Sequence, residues 1–150
     1  MKIISIVFLT VLAVERTHSL TSHECIKYVQ QEKAIVRASF EACADNLRHE
    51  VHCEAKCAFE LQQATVNGVL TLQSFSTLIR TRVVPEICDA VETNMAECFR
   101  NTAPDGEAVY PNSPCYEWDA MYRCWLYSLN MLEQYKCNDF PSSRRSYWGK

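Results

Sequence analysis

Nine cysteines in a chain of 150 residues constrain this sequence more than any other feature, and the number is odd. In an oxidising compartment such a density is a disulfide framework, which small domains use to supplement a limited core. The first twenty residues point to that compartment. Met1-Lys2 is a short basic start, Ile3 to Val14 is an apolar run broken only by Ser5 and Thr10, and polar residues follow from Glu15. A run this short, with one lysine in front, reads as a signal peptide and not as a membrane span. Cleavage after Ser19, with Thr17 at the −3 position, would remove residues 1–19 and leave a single domain over residues 20–150; cleavage after Ala13 is the alternative, with an unusually short apolar region. All nine cysteines survive either cut. No second apolar run of spanning length follows, so the expected product is secreted, extracellular and without stable membrane insertion.

Charge narrows the partners. Loss of Lys2, Glu15 and Arg16 takes the 15 basic residues to 13 and the 18 acidic ones to 17, a net of −4. Nucleic-acid affinity rests on neutralising phosphates, and here the basic residues are few and scattered apart from Arg144-Arg145. No nucleic-acid partner is expected. Only 3 glycines and 5 prolines argue against a turn-rich all-β scaffold and for helices.

The helices can be placed from periodicity and caps. Thr21-Ser-His-Glu24 is a capping-box pattern, and Cys25, Ile26, Val29, Ile35, Val36, Phe40 and Cys43 then recur at roughly helical spacing. One long helix to about Asn46 is expected, with a second from about His49 to Gln63. Asn67-Gly68 is the strongest turn signal in the chain. Leu72, Phe75, Leu78, Ile79 and Val83 give a third helix. Pro85 suits the first position of a fourth, whose buried stripe is Ile87, Cys88, Val91, Met95 and Cys98. Residues 101–113 read as loop, and Ser113-Pro114 as N-cap and first residue of the next helix. From Cys115 to Tyr135 the sequence is apolar on nearly every side, which predicts a central helix buried all round.

Several sharper readings weaken on inspection. His49, Cys53 and Cys57 fall at four-residue steps and suggest zinc, but oxidised cysteines offer no thiolates, and a zincin motif would need histidine where Cys53 stands. No metal and no cofactor are expected. No nucleophile elbow, phospholipase-type His-Asp pair or glycine-rich phosphate loop is present, so the chain reads as a non-enzyme with no catalytic residues. The aromatic and methionine content of residues 116–135 is plain core by default.

The cysteine spacing carries more information. Cys53 and Cys57 lie side by side on one helix and are better placed to staple neighbouring helices than each other. Cys115 and Cys124 sit about 180° apart around theirs and must find different partners. Six cysteines still allow 15 pairings. From Cys25 the gaps are 27 residues to Cys53, three to Cys57, 40 to Cys98, 16 to Cys115 and eight to Cys124. This pattern, with Gly68 and its Val-Leu-Thr-Leu run eleven residues after Cys57, resembles the insect odorant-binding protein family (the pheromone-binding or general odorant-binding proteins) over the whole mature chain.

That resemblance implies an all-α fold of six to seven helices around an apolar cavity. It also implies interlocked disulfides joining Cys25 to Cys57, Cys53 to Cys115, and Cys98 to Cys124. Cys43, Cys88 and Cys137 depart from the pattern, which makes the chain an atypical member; related salivary ligand scavengers of blood-feeding flies also remain open. Cys43 lies 18 residues beyond Cys25, ~27 Å along a straight helix. If Cys98 bonds Cys124 across antiparallel helices, Cys88 falls near Cys137, so the expected fourth bridge is Cys88–Cys137 with Cys43 as the odd thiol. The implied function is a carrier or scavenger of a small hydrophobic ligand such as an odorant, pheromone or lipid-like molecule. The ligand-binding candidates are Phe75, Ile79, Val91, Met95, Met121, Tyr122, Trp125 and Leu129, with Phe140 from the tail. The alternative is a salivary or reproductive effector of the same fold acting through protein contacts, with a membrane receptor or host protein as partner. Either would be a monomer or a homodimer.

Overall fold

A computed structural model of the chain describes residues 19–46 and 53–142. The expected signal peptide up to residue 18, His49, His52, Arg144, Arg145, Tyr147 and Trp148 lie outside the described residues. Helix α1 runs Ser22–Asn46 without interruption. Its capping box is present: the Thr21 hydroxyl accepts from the Glu24 N–H at 3.2 Å, and the Glu24 carboxylate accepts from the Thr21 N–H at 3.0 Å. The buried stripe is Cys25, Val29, Glu32, Val36, Ser39 and Cys43. Alternating steps of four and three hold it on one face.

Helix α2 is short, Glu54–Leu61. Strands β1 (Thr65–Val66) and β2 (Val69–Thr71) then form a hairpin around Asn67 and Gly68, both with positive φ. A two-residue turn of that kind matches the natural strand twist. At Gly68 a Cβ would also lie 3.0 Å from the Pro111 ring. Helix α3 (Leu72–Arg82) starts on a second capping box between Thr71 and Ser74, and α4 (Pro85–Thr102) starts on Pro85 as its sequence predicts. Helix α5 spans Cys115–Gln134, and a 3₁₀ turn over Lys136–Asp139 follows.

The outcome is mostly helical, but with differences from expectation. The described residues hold five α-helices, the 3₁₀ turn and a small antiparallel sheet in the order β1-β2-β3. Strand β3 (Ala108–Val109) arises inside the stretch expected to be loop and pairs Leu70 with Val109. Pro114, not Ser113, is the N-cap of α5; the Ser113 hydroxyl instead accepts from the Tyr110 N–H at 3.1 Å. Helix α5 is central but not buried all round. Trp118, Met121, Trp125, Leu129 and Leu132 pack inward, while Tyr116, Tyr127 and Tyr135 stay exposed.

Four cysteine pairs lie at bonding distance: Cys25–Cys137, Cys43–Cys57, Cys53–Cys115 and Cys98–Cys124. The last two are as the resemblance implied. The expected Cys25–Cys57 and Cys88–Cys137 bridges are corrected, and so is the choice of odd thiol: Cys88 is free and buried. The reason is the length of α1. An unbroken helix at 1.5 Å per residue puts Cys43 ~27 Å from Cys25. The start of α2 packs at the Cys43 end, so Cys57 meets Cys43. Cys25, at the other end, meets Cys137 in the 3₁₀ turn. The same corner is closed by a hydrogen bond from the Ser22 N–H to the Pro141 carbonyl, 2.9 Å.

Asp105 organises the connection into β3. Its carboxylate accepts from the Glu107 and Ala108 N–H groups, both at 2.9 Å, and from the Tyr110 hydroxyl at 2.6 Å. The Tyr110 hydroxyl and these backbone donors lower the Asp105 pKa to about 2. A depressed carboxyl pKa means that its contribution is present above the unfolded value and is lost as pH falls through the folded one. The Glu107 and Ala108 amides should therefore lose their protection from hydrogen exchange between about pH 4 and pH 2, and Asp105→Ala should expose them already at neutral pH. Unchanged exchange in the variant would refute this role.

Candidate functional site: the groove between α4 and α5

The residues expected to line a cavity are buried in the hydrophobic core or packed against it. Phe75, Ile79, Met95, Met121 and Trp125 are fully buried, Val91, Leu129 and Tyr122 nearly so, and Phe140 packs against them from the tail. The structure brings several together: Phe75 meets Trp125 edge-on with ring centres 4.9 Å apart, and Trp125 stacks on Phe59 at 5.5 Å. Tyr122 stacks on Phe40 at 4.6 Å. None of the nine lines the open grooves described below.

At the edge of this core lies a charged pair that sequence reasoning missed, its carboxylate buried and its guanidinium partly exposed. Glu32 of α1 is 2% exposed and is bonded to the Arg82 guanidinium at the end of α3. Gln62 accepts from both terminal nitrogens of Arg82, at 3.1 and 3.0 Å. The guanidinium sits 6.0 Å from the Trp125 ring centre. Burial raises the Glu32 pKa, against the opposing pull of Arg82. The available signal was positional: Glu32 falls in phase with Val29 and Val36. The Nε1 atoms of Trp118 and Trp125 and the Nε of Arg82 are buried without a hydrogen-bond partner.

Open space of ligand size lies elsewhere. A groove of about 730 Å³ runs between α4 and the end of α5 with its 3₁₀ turn, within the roughly 300–1,000 Å³ usual for small-molecule sites. Ala90, Met131 and Leu132 supply its apolar lining; Glu86, Asp89 and Asp139 stand on it as acids, with Lys136 and Tyr135 beside them. A second recess of about 400 Å³ shares Asn94 and Met131 with the first and continues to Glu97, Tyr127 and the Cys98–Cys124 bridge. Two sequence patterns build the walls. On α5, Tyr127 and Met131 stand four residues apart and share a face, and Tyr135, the residue that caps the helix, follows at the same step. On α4, Glu86, Ala90 and Asn94 recur at that step and share a face. Both helices are pinned, α4 to α5 by Cys98–Cys124 and the 3₁₀ turn to α1 by Cys25–Cys137.

A metal centre finds no support in the cysteines. Of the trio that spacing alone suggests for zinc and that oxidised cysteines argue against, His49 lies outside the described residues, and Cys53 and Cys57 are each bonded to another sulfur. Cys53, Cys115 and Asp119 lie close enough to share an ion, but the two sulfurs are joined to each other and supply no thiolate. Among the described residues no helix is long and apolar enough to cross a membrane. Comparison with protein-family models, with curated proteins and with solved structures finds no match.

Proposed function

We propose that this chain is a secreted binding protein that carries or scavenges a small hydrophobic ligand, and that the ligand lies in the α4–α5 groove. The observation that carries the reading is the groove itself, an open recess of ligand-sized volume with an apolar strip of Ala90, Met131 and Leu132 and two disulfide-pinned walls. Pinned walls favour affinity because little ordering is left to be done on binding. The signal-like leader and the four bridges support secretion. Kinship with the insect odorant-binding proteins is part of the proposal, supported by the gaps of three and eight residues and by the Cys53–Cys115 and Cys98–Cys124 pairs. The reading involves no catalytic step.

A delipidated, oxidised sample should bind the neutral probe N-phenyl-1-naphthylamine saturably at one site. Ala90→Trp, which fills the groove, should abolish that binding while leaving the helical circular dichroism unchanged. Binding that survives Ala90→Trp would move the ligand into the interior around Trp125. Absence of saturable binding would favour the second reading, a secreted effector whose partner is a receptor or host protein. The packing of eight of the nine expected pocket residues into the core, with Phe140 against it, supports that alternative.

A further inference from the structure

The two walls of the groove differ in chemistry. The α4 side and the 3₁₀ turn carry Glu86, Asp89 and Asp139, and the adjoining recess adds Glu97. Against these four carboxylates the lining offers one cation, Lys136, whose ammonium lies 3.7 Å from Asp139. Outside the lining, Arg80 is 3.7 Å from Asp89 but is held by Glu92 at 2.7 Å. Among the described residues of the lining, the excess negative charge is thus only partly answered. The α5 side is aromatic and soft: Tyr127 and Tyr135, 61% and 63% exposed, flank the half-buried Met131. Exposed tyrosine faces attract cations, and carboxylates within a Debye length of about 8–10 Å add to the same field.

We propose that the groove selects an amphipathic organic cation, an alkyl- or arylammonium ion. Its charged end lies among Glu86, Asp89 and Tyr135, and its apolar body lies on Ala90, Met131 and Leu132. This rests on the groove being the ligand site. An anionic ligand such as a fatty acid would meet the same carboxylates as repulsion. A neutral one would gain only the apolar lining.

Three probes with one fluorophore separate the possibilities: cationic dansylcadaverine, neutral dansylamide and anionic dansylglycine, titrated into the full chain at low salt. Dansylcadaverine should bind at least tenfold more tightly than dansylglycine, with dansylamide between them. Raising the salt from 20 to 500 mM should shrink the gap several-fold. Glu86→Gln combined with Asp89→Asn, at two exposed positions on α4, should bring the dansylcadaverine and dansylglycine affinities to within about twofold of each other, with the helical circular dichroism as in the parent chain. A tenfold preference that survives the pair would overturn their role. Equal binding of all three probes would overturn charge selection and leave the groove as a neutral-ligand site. Failure of all three and of N-phenyl-1-naphthylamine would overturn the groove site itself, and this inference with it.

Discussion

Replacing Cys25 and Cys137 together by alanine should cost more stability than removing any other bridge in the protein. The bond joins residues 112 apart in sequence, so it constrains nearly the whole described chain when unfolded. For each bond taken as the sole cross-link of an open chain, the chain-entropy relation gives about 4.8 kcal/mol for a loop of this size, against about 3 kcal/mol for the 14-residue separation of Cys43–Cys57. The other bridges shorten the larger loop and narrow the gap without reversing it. The first figure approaches the entire stability of a small domain, roughly 5–15 kcal/mol. Guanidinium unfolding of the two double variants, otherwise oxidised, checks the order. A non-reduced peptide map checks the premise, since a Cys25–Cys57 peptide would remove it. If the Cys43–Cys57 double variant proves the less stable of the two, the account of the closed corner at Ser22 and Pro141 is wrong.

The second large effect concerns the buried ion pair. Glu32→Ala leaves the partly exposed Arg82 guanidinium to Gln62 and the Trp125 ring. Breaking a fully buried pair costs about 3–5 kcal/mol, and the lower end of that range is expected here. Replacing both partners by apolar groups, Glu32→Leu with Arg82→Met, should recover most of that loss, because the two desolvation penalties disappear together. The pH dependence follows from the direction of the Glu32 shift. Burial raises its folded pKa above the unfolded value, so between the two the native state holds the extra proton. Stability from this group therefore falls as pH rises through that window. Asp105 acts in the opposite sense, and its contribution is lost on acidification. A double-mutant cycle with no recovery would show that Arg82 is held by Gln62 and Trp125 rather than by Glu32.

How far each element was legible depends on where its partner lies in the chain. The capping box at Thr21, the Asn67-Gly68 turn and the Pro85 helix start are local signals, and each stands where its residues place it. Strand β3 is two residues long, and its partner Leu70 lies 39 positions earlier, so nothing near Ala108 announces it. Glu32 reads as a solvated residue until Arg82, fifty positions on, is found beside it. The disulfide order went astray where it followed a family pattern past the geometry of α1. The ~27 Å between Cys25 and Cys43 was visible in the sequence, and it also separates Cys25 from whatever packs at Cys43. The groove was hidden for a different reason. Tyr127, Met131 and Tyr135 repeat like core residues, and only the packing of α4 beside α5 leaves them at its edge.

The burial of Cys88 has a consequence for the life of the protein outside its native state. Its sulfur lies 3.2 Å from the Val83 carbonyl, and burial raises its pKa, so in the folded chain it is an inert hydrophobe. Unfolding returns it to an ordinary thiol with a pKa near 8.5, whose thiolate attacks a disulfide, forms a mixed disulfide and releases another thiolate. Leaving out any one of nine cysteines gives roughly 945 ways to draw four bridges. Each molecule thus carries its own shuffling reagent, sheathed while the fold stands and let loose when it fails. Oxidative refolding has to sequester that sulfur before the bridges become permanent.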